Sequence, residues 1–260
     1  MTSPSRVVLV TGGSSGIGRA TALAFASRGA RVVVASRSRD RALSVVRALE
    51  LAGGDGYFIP ADVSIESAVE AMVAETMELY GRLDVAVNCA ALTDPVLAPT
   101  AELDEAEFDQ MIAVTLKGVW LCMKHELKAM VAGKGGAIVN LASANGLHGT
   151  PGASHYAAAK HGVLGLTKTA ALEYAERGIR INALCPGPTD TPLLRRMIAV
   201  REEDAGEDDM AETLARRTPM KRLAQPEEVA SAILWLCSPD ASYVTGTFLR
   251  VDGGLAAGIL

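Results

Sequence analysis

Apolar positions along the chain fall into short unbroken runs that alternate with longer stretches of helical spacing. The first run, residues 6–10, is apolar after its first position and breaks at a cluster of glycines; Ala20, Leu23 and Ala24 then recur at helical intervals up to Gly29. A second run, residues 31–36, leads into a helical pattern over 40–52. The alternation continues with a strand at 57–61, a helix at 66–79 stopped by Gly81, and a strand at 83–87. A long helical stretch at about 104–131 follows, then a strand at 137–142, a helix at 154–176 and a strand at 179–184. Strands that are apolar at nearly every position, separated by helices, predict an α/β fold in one domain over 1–260. Its core is a doubly wound parallel sheet covered on both faces.

Ligands on such sheets bind beyond the carboxyl ends of the strands, as in Rossmann-type folds. Gly12, Arg37, Asp62, Asn88, Ser143 and Pro186-Gly187 all fall at predicted strand ends, which points to a single site. The first strand runs into Thr11-Gly12-Gly13-Ser14-Ser15-Gly16-Ile17-Gly18. A glycine-rich turn between a buried strand and a helix lets backbone amides approach a phosphate at the helix N-terminus. The spacing is neither that of a P-loop nor G-x-G-x-x-G, but Ser14 and Ser15 add hydroxyl donors for phosphate oxygens. At the end of the second strand, dinucleotide-binding units place an acid that grips the ribose 2′-hydroxyl, or an arginine that suits a 2′-phosphate. Ser36 stands in the place of the acid, and Arg37 follows it. This predicts NADP(H).

The stretch from Ser143 to Lys160 carries candidate chemistry. Tyr156 and Lys160 are four residues apart and share a helix face. An ammonium near a phenol stabilises the phenolate, so the spacing predicts a tyrosine pKa below its ordinary value of about 10. A phenol tuned in that way serves as a general acid–base. Ser143 follows a buried strand, and its hydroxyl is placed to donate to a carbonyl oxygen that gains charge in a transition state.

Composition narrows the function classes. The chain has 260 residues, 49% hydrophobic and 21% charged, with a net charge of −5. Mild acidity offers no electrostatic footprint for nucleic acid or an anionic membrane. No apolar run reaches the roughly 18 residues of a membrane span, and the residues from Met1 to Ser5 show no signal-peptide pattern. Cys89, Cys122, Cys185 and Cys237 sit singly in apolar segments, as small core residues and not as a metal cluster. The expectation is a soluble cytoplasmic protein without a metal.

From Arg6 to Gly254 the chain resembles the short-chain dehydrogenases/reductases in their single-domain form. The resemblance rests on Thr11-Gly12 through Gly18, Asp62-Val63, Asn88-Cys89-Ala90-Ala91, Ser143, Tyr156, Lys160, Asn182 to Gly187, and Val251-Asp252-Gly253-Gly254. It implies hydride transfer between a nicotinamide and a carbonyl or alcohol carbon. Tyr156 would supply the proton, Lys160 would lower its pKa and hold the nicotinamide ribose, and Ser143 would polarise the carbonyl. Asp62 and Val63 would meet adenine, Ala90 the adenosine side, and Pro186, Gly187, Thr189 and Thr191 the carboxamide and diphosphate.

The chain departs from the family pattern in places. Cys89 and Ala91 replace the usual Asn and Gly, and Ala91 implies a small local shift. Thr115, counted with the catalytic positions, stands where the family has an asparagine that bends its helix and carries a water from Lys160 to solvent. Residues 191–219, with an acidic run at 202–209, would form a lid over the substrate, the acidic run being a solvated face. A homotetramer or dimer is also implied, with contacts through 104–131, 154–176 and the apolar end at 255–260. The competing readings are an NAD(H)-preferring dehydrogenase and a cofactor-binding regulator with little turnover.

Overall fold

The first half of the chain winds as β1 (Val7–Thr11), α1 (Gly16–Ala26), β2 (Arg31–Ser36), α2 (Arg39–Leu51), β3 (Asp55–Pro60), α3 (Glu66–Tyr80) and β4 (Val85–Asn88). The second half follows as α4 (Glu105–Met111), a π-helical turn (Ile112–Lys117), α5 (Gly118–Ala132), β5 (Gly136–Leu141), α6 (Ser154–Tyr174), β6 (Ile179–Pro186), α7 (Pro192–Ala205), α8 (Met210–Arg217), α9 (Pro226–Leu236) and β7 (Phe248–Val251). This computed structural model describes residues 5–92, 96–133, 135–205 and 210–257, with backbone alone for 200–205. The acidic run at 202–209 therefore has no described side chain, and the last three residues of the apolar end lie outside the described residues.

Seven strands form one parallel sheet in the order β3-β2-β1-β4-β5-β6-β7. The chain winds outward from β1 in one direction through β2 and β3, then returns to β4 on the other side. That reversal is the switch point where such sheets open a crevice. The register keeps the strand ends level: Thr11 lies opposite Ala35 and Asn88, and Asn88 lies opposite Asn140.

Side chains alternate between two apolar layers, as the period of a strand requires. Val8, Val10, Val32, Val34, Val85 and Val87 face one layer with Phe25, Leu49 and Ile233 from α1, α2 and α9. Leu9, Val33, Ala86, Ile138 and Ile181 face the other, with Met72, Leu121 and Val163 from α3, α5 and α6. Every position of β1 and β4 is buried, which explains their unbroken apolar runs.

The predicted alternation stops at the strand 179–184, so α7, α8, α9 and β7 extend it, and one predicted helix is divided. The helical stretch at 104–131 is three pieces, because a π-helical turn at Ile112–Lys117 separates α4 from α5. Just beyond it, Gly118 lets the helix pass close to the loop after β3: a Cβ there would lie 2.8 Å from Val63 Cγ2. Among the added elements is α9. It starts with Pro226 in its first turn, and Glu228 reaches back to the Gln225 amide at 2.8 Å.

Two arginines close the far end of α9, where the last carbonyls lack intrahelical donors. Arg180 donates to Leu236 O at 2.7 Å, Val244 O at 3.2 Å and Ser238 O at 3.1 Å. Arg6 donates to Cys237 O at 2.6 Å. A charged donor is worth about 1.5–3 kcal/mol per bond in buried settings, less where solvent reaches it. Arg180→Met is therefore expected to lower stability by about 2–3 kcal/mol. Urea unfolding should show a lower midpoint at an unchanged slope.

Candidate active site

The level carboxyl ends of β1, β2, β4, β5 and β6 form the floor of a cleft of about 1240 Å³. A single small ligand usually takes about 300–1,000 Å³, so the cleft has room for two molecules side by side. Gly12, Ser14, Ser15, Gly16, Ile17 and Gly18 line one end. Gly12 has φ +65°, and a Cβ there would lie 2.8 Å from Ala90 N. Gly16 has φ +50°, and its Cβ would meet Thr191 Cγ2 at 3.2 Å. The turn thus needs glycine for conformation and for space, and α1 starts from it with its amides toward the cleft.

Beside the turn, the Ser14 and Ser36 hydroxyls are 2.8 Å apart, and Ser36 Oγ accepts from Ser38 N at 3.1 Å. The Arg37 guanidinium, half exposed, stands 3.9 Å from the Asp62 carboxylate. Burial works to raise the Asp62 pKa, but two hydrogen bonds from Ser64 and the charge of Arg37 hold it below the usual value. Asp62 is therefore a fixed acceptor. Ser38 and Arg41 also line this end, with Arg41 Nε donating to Ser38 Oγ at 3.0 Å. The sequence reading includes neither; the available signal is Arg41, four residues after Arg37 in the first turn of a helix.

The groups with candidate chemistry meet in the middle of the cleft. Ser143 follows β5, and its Oγ accepts from Asn145 N at 3.1 Å. Lys160 Nζ donates to Leu141 O at 2.7 Å and stands 5.7 Å from the centroid of the Tyr156 ring. The short turn after Ser143 presses on α6, since a Cβ on Gly146 would lie 2.9 Å from Lys160 O. Ser143, Tyr156 and Lys160 all line the cleft.

The electrostatics of this trio reverse one expectation. Burial raises the Tyr156 pKa above its ordinary value, opposed in part by the Ser143 hydroxyl. Lys160 is not what sets the phenol, because its ammonium is engaged by the Leu141 carbonyl. Burial also lowers the Lys160 pKa to about 8. At pH 7 the pair is thus a neutral phenol beside an ammonium.

Val63, Ala90, Pro186, Gly187, Thr189 and Thr191 complete the cofactor-sized part of the wall. Gly187 passes close to the last strand's turn, where its Cβ would lie 2.8 Å from Asp252 Cα. Thr189 Oγ1 donates to Gly187 O at 2.9 Å, and Thr191 Oγ1 accepts from Leu194 N at 3.2 Å. The remaining wall comes largely from the 191–219 stretch that the family resemblance marks as a substrate lid. Leu193, Leu194 and Met197 from α7 and Met210 and Leu214 from α8 line it together with Leu147, His148 and Pro151. Among the described residues no cluster of His, Cys, Asp and Glu is placed to hold a metal ion.

Two predicted site residues lie outside the cleft lining. Asn88 is buried beneath the floor, where its Nδ2 donates to Glu126 Oε2 and to Asn140 Oδ1, both at 3.0 Å. Its place at the strand end is taken over by Cys89, Ala90 and Ala91, which do line the cleft. Burial pushes the Cys89 thiol up to about 12, as suits a packing group. Thr115 is buried in the π-helical turn. Its hydroxyl accepts from Leu92 N at 3.3 Å and donates to Met111 Sδ at 3.2 Å.

Comparison with known proteins agrees with this arrangement. The family described as enoyl-(acyl carrier protein) reductase matches residues 12–256. A short chain dehydrogenase/reductase of Aspergillus oryzae is 46% identical, over 96% of this chain and 95% of that protein. A cis-4-hydroxycyclohexanecarboxylate dehydrogenase of Sinomonas cyclohexanicum is 45% identical over 97% of each. A variant actinorhodin polyketide ketoreductase, solved with NADPH, superposes with a TM-score of 0.93 at 36% identity over 98% of each chain. The chain belongs to the short-chain dehydrogenase/reductase family, oxidoreductases that use a nicotinamide cofactor on carbonyl and alcohol substrates.

The position of Thr115 generates a prediction. Its hydroxyl serves the Leu92 amide and not Lys160, and an asparagine carbonyl can accept from the same amide. Thr115→Asn is expected to change kcat less than about tenfold, a small part of a typical general acid–base contribution. Cofactor affinity should stay the same. Steady-state kinetics together with the solvent deuterium effect on kcat check this, and a larger gain with loss of the isotope effect would contradict it.

Proposed function

We propose that the protein is an NADP(H)-dependent carbonyl reductase or alcohol dehydrogenase acting on a ring-shaped secondary alcohol or ketone. The observation that carries the reaction type is the meeting of Ser143, Tyr156 and Lys160 over the strand ends. The glycine turn fits a dinucleotide diphosphate, because a Cβ at Gly12 would fill the cradle formed with Ala90. The amides at the start of α1 and the hydroxyls of Ser14 and Ser15 would hold that diphosphate. Arg37, with no carboxylate at Ser36, would hold a 2′-phosphate. Asp62 and Val63 would flank adenine, Lys160 the nicotinamide ribose, and Pro186 to Thr191 the carboxamide.

The nicotinamide, when bound, supplies or accepts the hydride. The protein's own groups do the rest. The neutral phenol of Tyr156 holds a proton for the substrate oxygen, and its raised pKa keeps it in the protonated form that reduction starts from. Ser143 offers a hydroxyl to the same oxygen. The apolar wall from α7 and α8 excludes water and accepts a bulky hydrocarbon skeleton. We read residues 191–219 as the substrate lid and the whole chain as one domain. A ring substrate is supported by the relative named for a hydroxycyclohexane acid. A homo-oligomeric state is supported by Trp120 on α5 and Leu172 on α6, both exposed. No described helix is long and apolar enough to cross a membrane, in keeping with a cytoplasmic enzyme.

NADPH is expected to bind about tenfold to a hundredfold more tightly than NADH, since a charge-assisted contact is worth about 1.5–3 kcal/mol. Arg37→Ser should remove most of that difference. Fluorescence titration of both cofactors decides the point, and equal or tighter NADH binding would favour the NAD(H) alternative.

Tyr156→Phe is expected to cut kcat by about 10²–10⁴-fold with cofactor affinity retained. Lys160→Ala should damage both, because the amine would hold the ribose as well as its place beside the phenol. Turnover of cyclic ketones such as substituted cyclohexanones is the assay. A Tyr156→Phe protein near the wild-type rate would remove the proton-donor assignment.

A further inference from the structure

Beneath the cleft floor lies a polar layer that the reaction itself does not use. Glu126, on α5, is fully buried, and so are Thr11, Asn88, Asn140 and Thr167 around it. The hydrogen bonds run in one direction through this layer. Asn88 Nδ2 donates to Glu126 Oε2 and to Asn140 Oδ1 at 3.0 Å each. Asn140 Nδ2 donates to Thr167 Oγ1 at 3.0 Å, and Thr167 donates to Val163 O at 2.7 Å. On the other side Thr11 Oγ1 donates to Asn88 Oδ1, and Ala90 N donates to Thr11 Oγ1, both at 3.4 Å. The chain of bonds therefore ends at Ala90, the residue against which Gly12 is packed without room for a Cβ. Asn140 immediately precedes Leu141, whose carbonyl holds Lys160.

An amide side chain can turn over and exchange its oxygen and nitrogen. What fixes Asn88 is the pair of acceptors that Glu126 and Asn140 present to its nitrogen, leaving the oxygen for Thr11. We propose that Glu126, as a neutral carboxylic acid, is a positioning residue that holds the cofactor floor through Asn88, Thr11 and Ala90. The inference rests on the reading of the cleft as a nicotinamide dinucleotide site.

The geometry argues for the neutral form. Among the described residues, Glu126 Oε1 is buried with no hydrogen-bond partner, and Asn88 is the only donor to the other oxygen. A carboxylate so placed loses its hydration and gains one neutral amide. No described ionisable group of the elements around it supplies a compensating charge. The buried residues of α3 are Val69, Met72, Val73 and Thr76, and those of the π-helical turn are Val114 and Thr115. β4, β5 and α6 contribute Asn88, Asn140 and Thr167. On α5 itself, Cys122 is a buried thiol whose ionisation Glu126 opposes, and His125 turns toward Glu66 at 3.5 Å. Burial accordingly pushes the Glu126 pKa up to about 7, with the Asn88 bond pulling the other way. An ionised Glu126 with one neutral donor gains most from hydration, and water that reaches it would compete with Asn88 for the carboxylate.

The sign follows from linkage. If the neutral acid favours the binding-competent floor, affinity declines as pH rises through about 7, and bound cofactor moves the carboxyl's midpoint upward. The experiment measures Kd for NADPH and NADH from pH 6 to 8.5 in the wild type, Glu126→Gln and Glu126→Leu. Titration of Lys160 and of the cofactor phosphates affects wild type and Glu126→Gln alike, so it cancels in their ratio. Glu126→Gln keeps the acceptor without the titration; it should match the wild type at pH 6 and bind about fivefold more tightly at pH 8.5. Glu126→Leu leaves the Asn88 nitrogen with Asn140 Oδ1 as its one remaining acceptor and should bind about fivefold more weakly than wild type at pH 6.

A Glu126→Gln to wild-type ratio that stays flat with pH overturns the proposal, as does a Glu126→Leu protein equal to wild type at pH 6. Failure of both cofactors to bind the wild type overturns the reading of the cleft and this inference with it. Should the variants not fold, the ¹³C shift of the Glu126 carboxyl in the wild type decides. Its titration midpoint should rise when cofactor is bound, and identical midpoints overturn the proposal.

Discussion

The site depends on how closely the turn after β1 can approach the loop after β4. At that point the sheet changes winding direction, and nothing larger than hydrogen fits on Gly12 beside the Ala90 backbone. A side chain there would push the two loops apart and move the start of α1 away from the cleft. The positive φ of Gly12 and Gly16 adds a conformational reason to the steric one. The level register of β1, β4 and β5 then places the loops after them in one plane. Lys160 is tied into that plane through the Leu141 carbonyl. The shape of the cleft is thus set first by backbone contacts, on which the side chains that line it are then placed.

Much of this arrangement is legible in the order of residues, and for a physical reason. Strands buried on both faces carry few polar positions, so β1, β2 and β4 stand out as nearly continuous apolar runs and β6 is legible despite Arg180 and Asn182, all with ends accurate to a residue or two. The π-helical turn is invisible in the same signal, because one inserted residue barely disturbs the apolar period around Val114. Helix α9 escapes notice although Pro226 and Glu228 carry a start signal, since its apolar face lacks the length that makes 104–131 obvious. The apolar lining from α7 and α8 falls within the 191–219 stretch that the family resemblance marks as a lid, but its individual residues are hidden for another reason. Residues of these helices meet the cleft only through tertiary packing, which no local pattern records.

Asn88 shows where position along a strand misleads and parity does not. It ends β4 at the cleft, yet its side chain points the same way as that of Ala86, two residues earlier. Thr11 shares that parity with Leu9, and Asn140 with Ile138. The three polar residues therefore close the top of the apolar layer facing α5 and α6, and residues 89–91 become the lining. Polar groups at that depth must satisfy one another, which they do as a row across three neighbouring strands.

The opposite pKa shifts of Tyr156 and Lys160 also bear on direction. Burial penalises charge whatever its sign, so it raises the phenol and lowers the amine. A buried phenol kept neutral is protonated at neutral pH, though its raised pKa makes it a weaker acid than a free phenol. Reduction needs the acid, and the structure holds it in that form. Oxidation needs a phenolate, and the ammonium that would stabilise one is engaged by Leu141 O, 5.7 Å from the ring centroid. For the same residues to work as base, an oxygen-bearing group must link amine to phenol or the ammonium must leave its carbonyl. The ribose hydroxyls of a nicotinamide cofactor have the right chemistry for such a link, so the cofactor would complete the acid–base pair as well as carry the hydride.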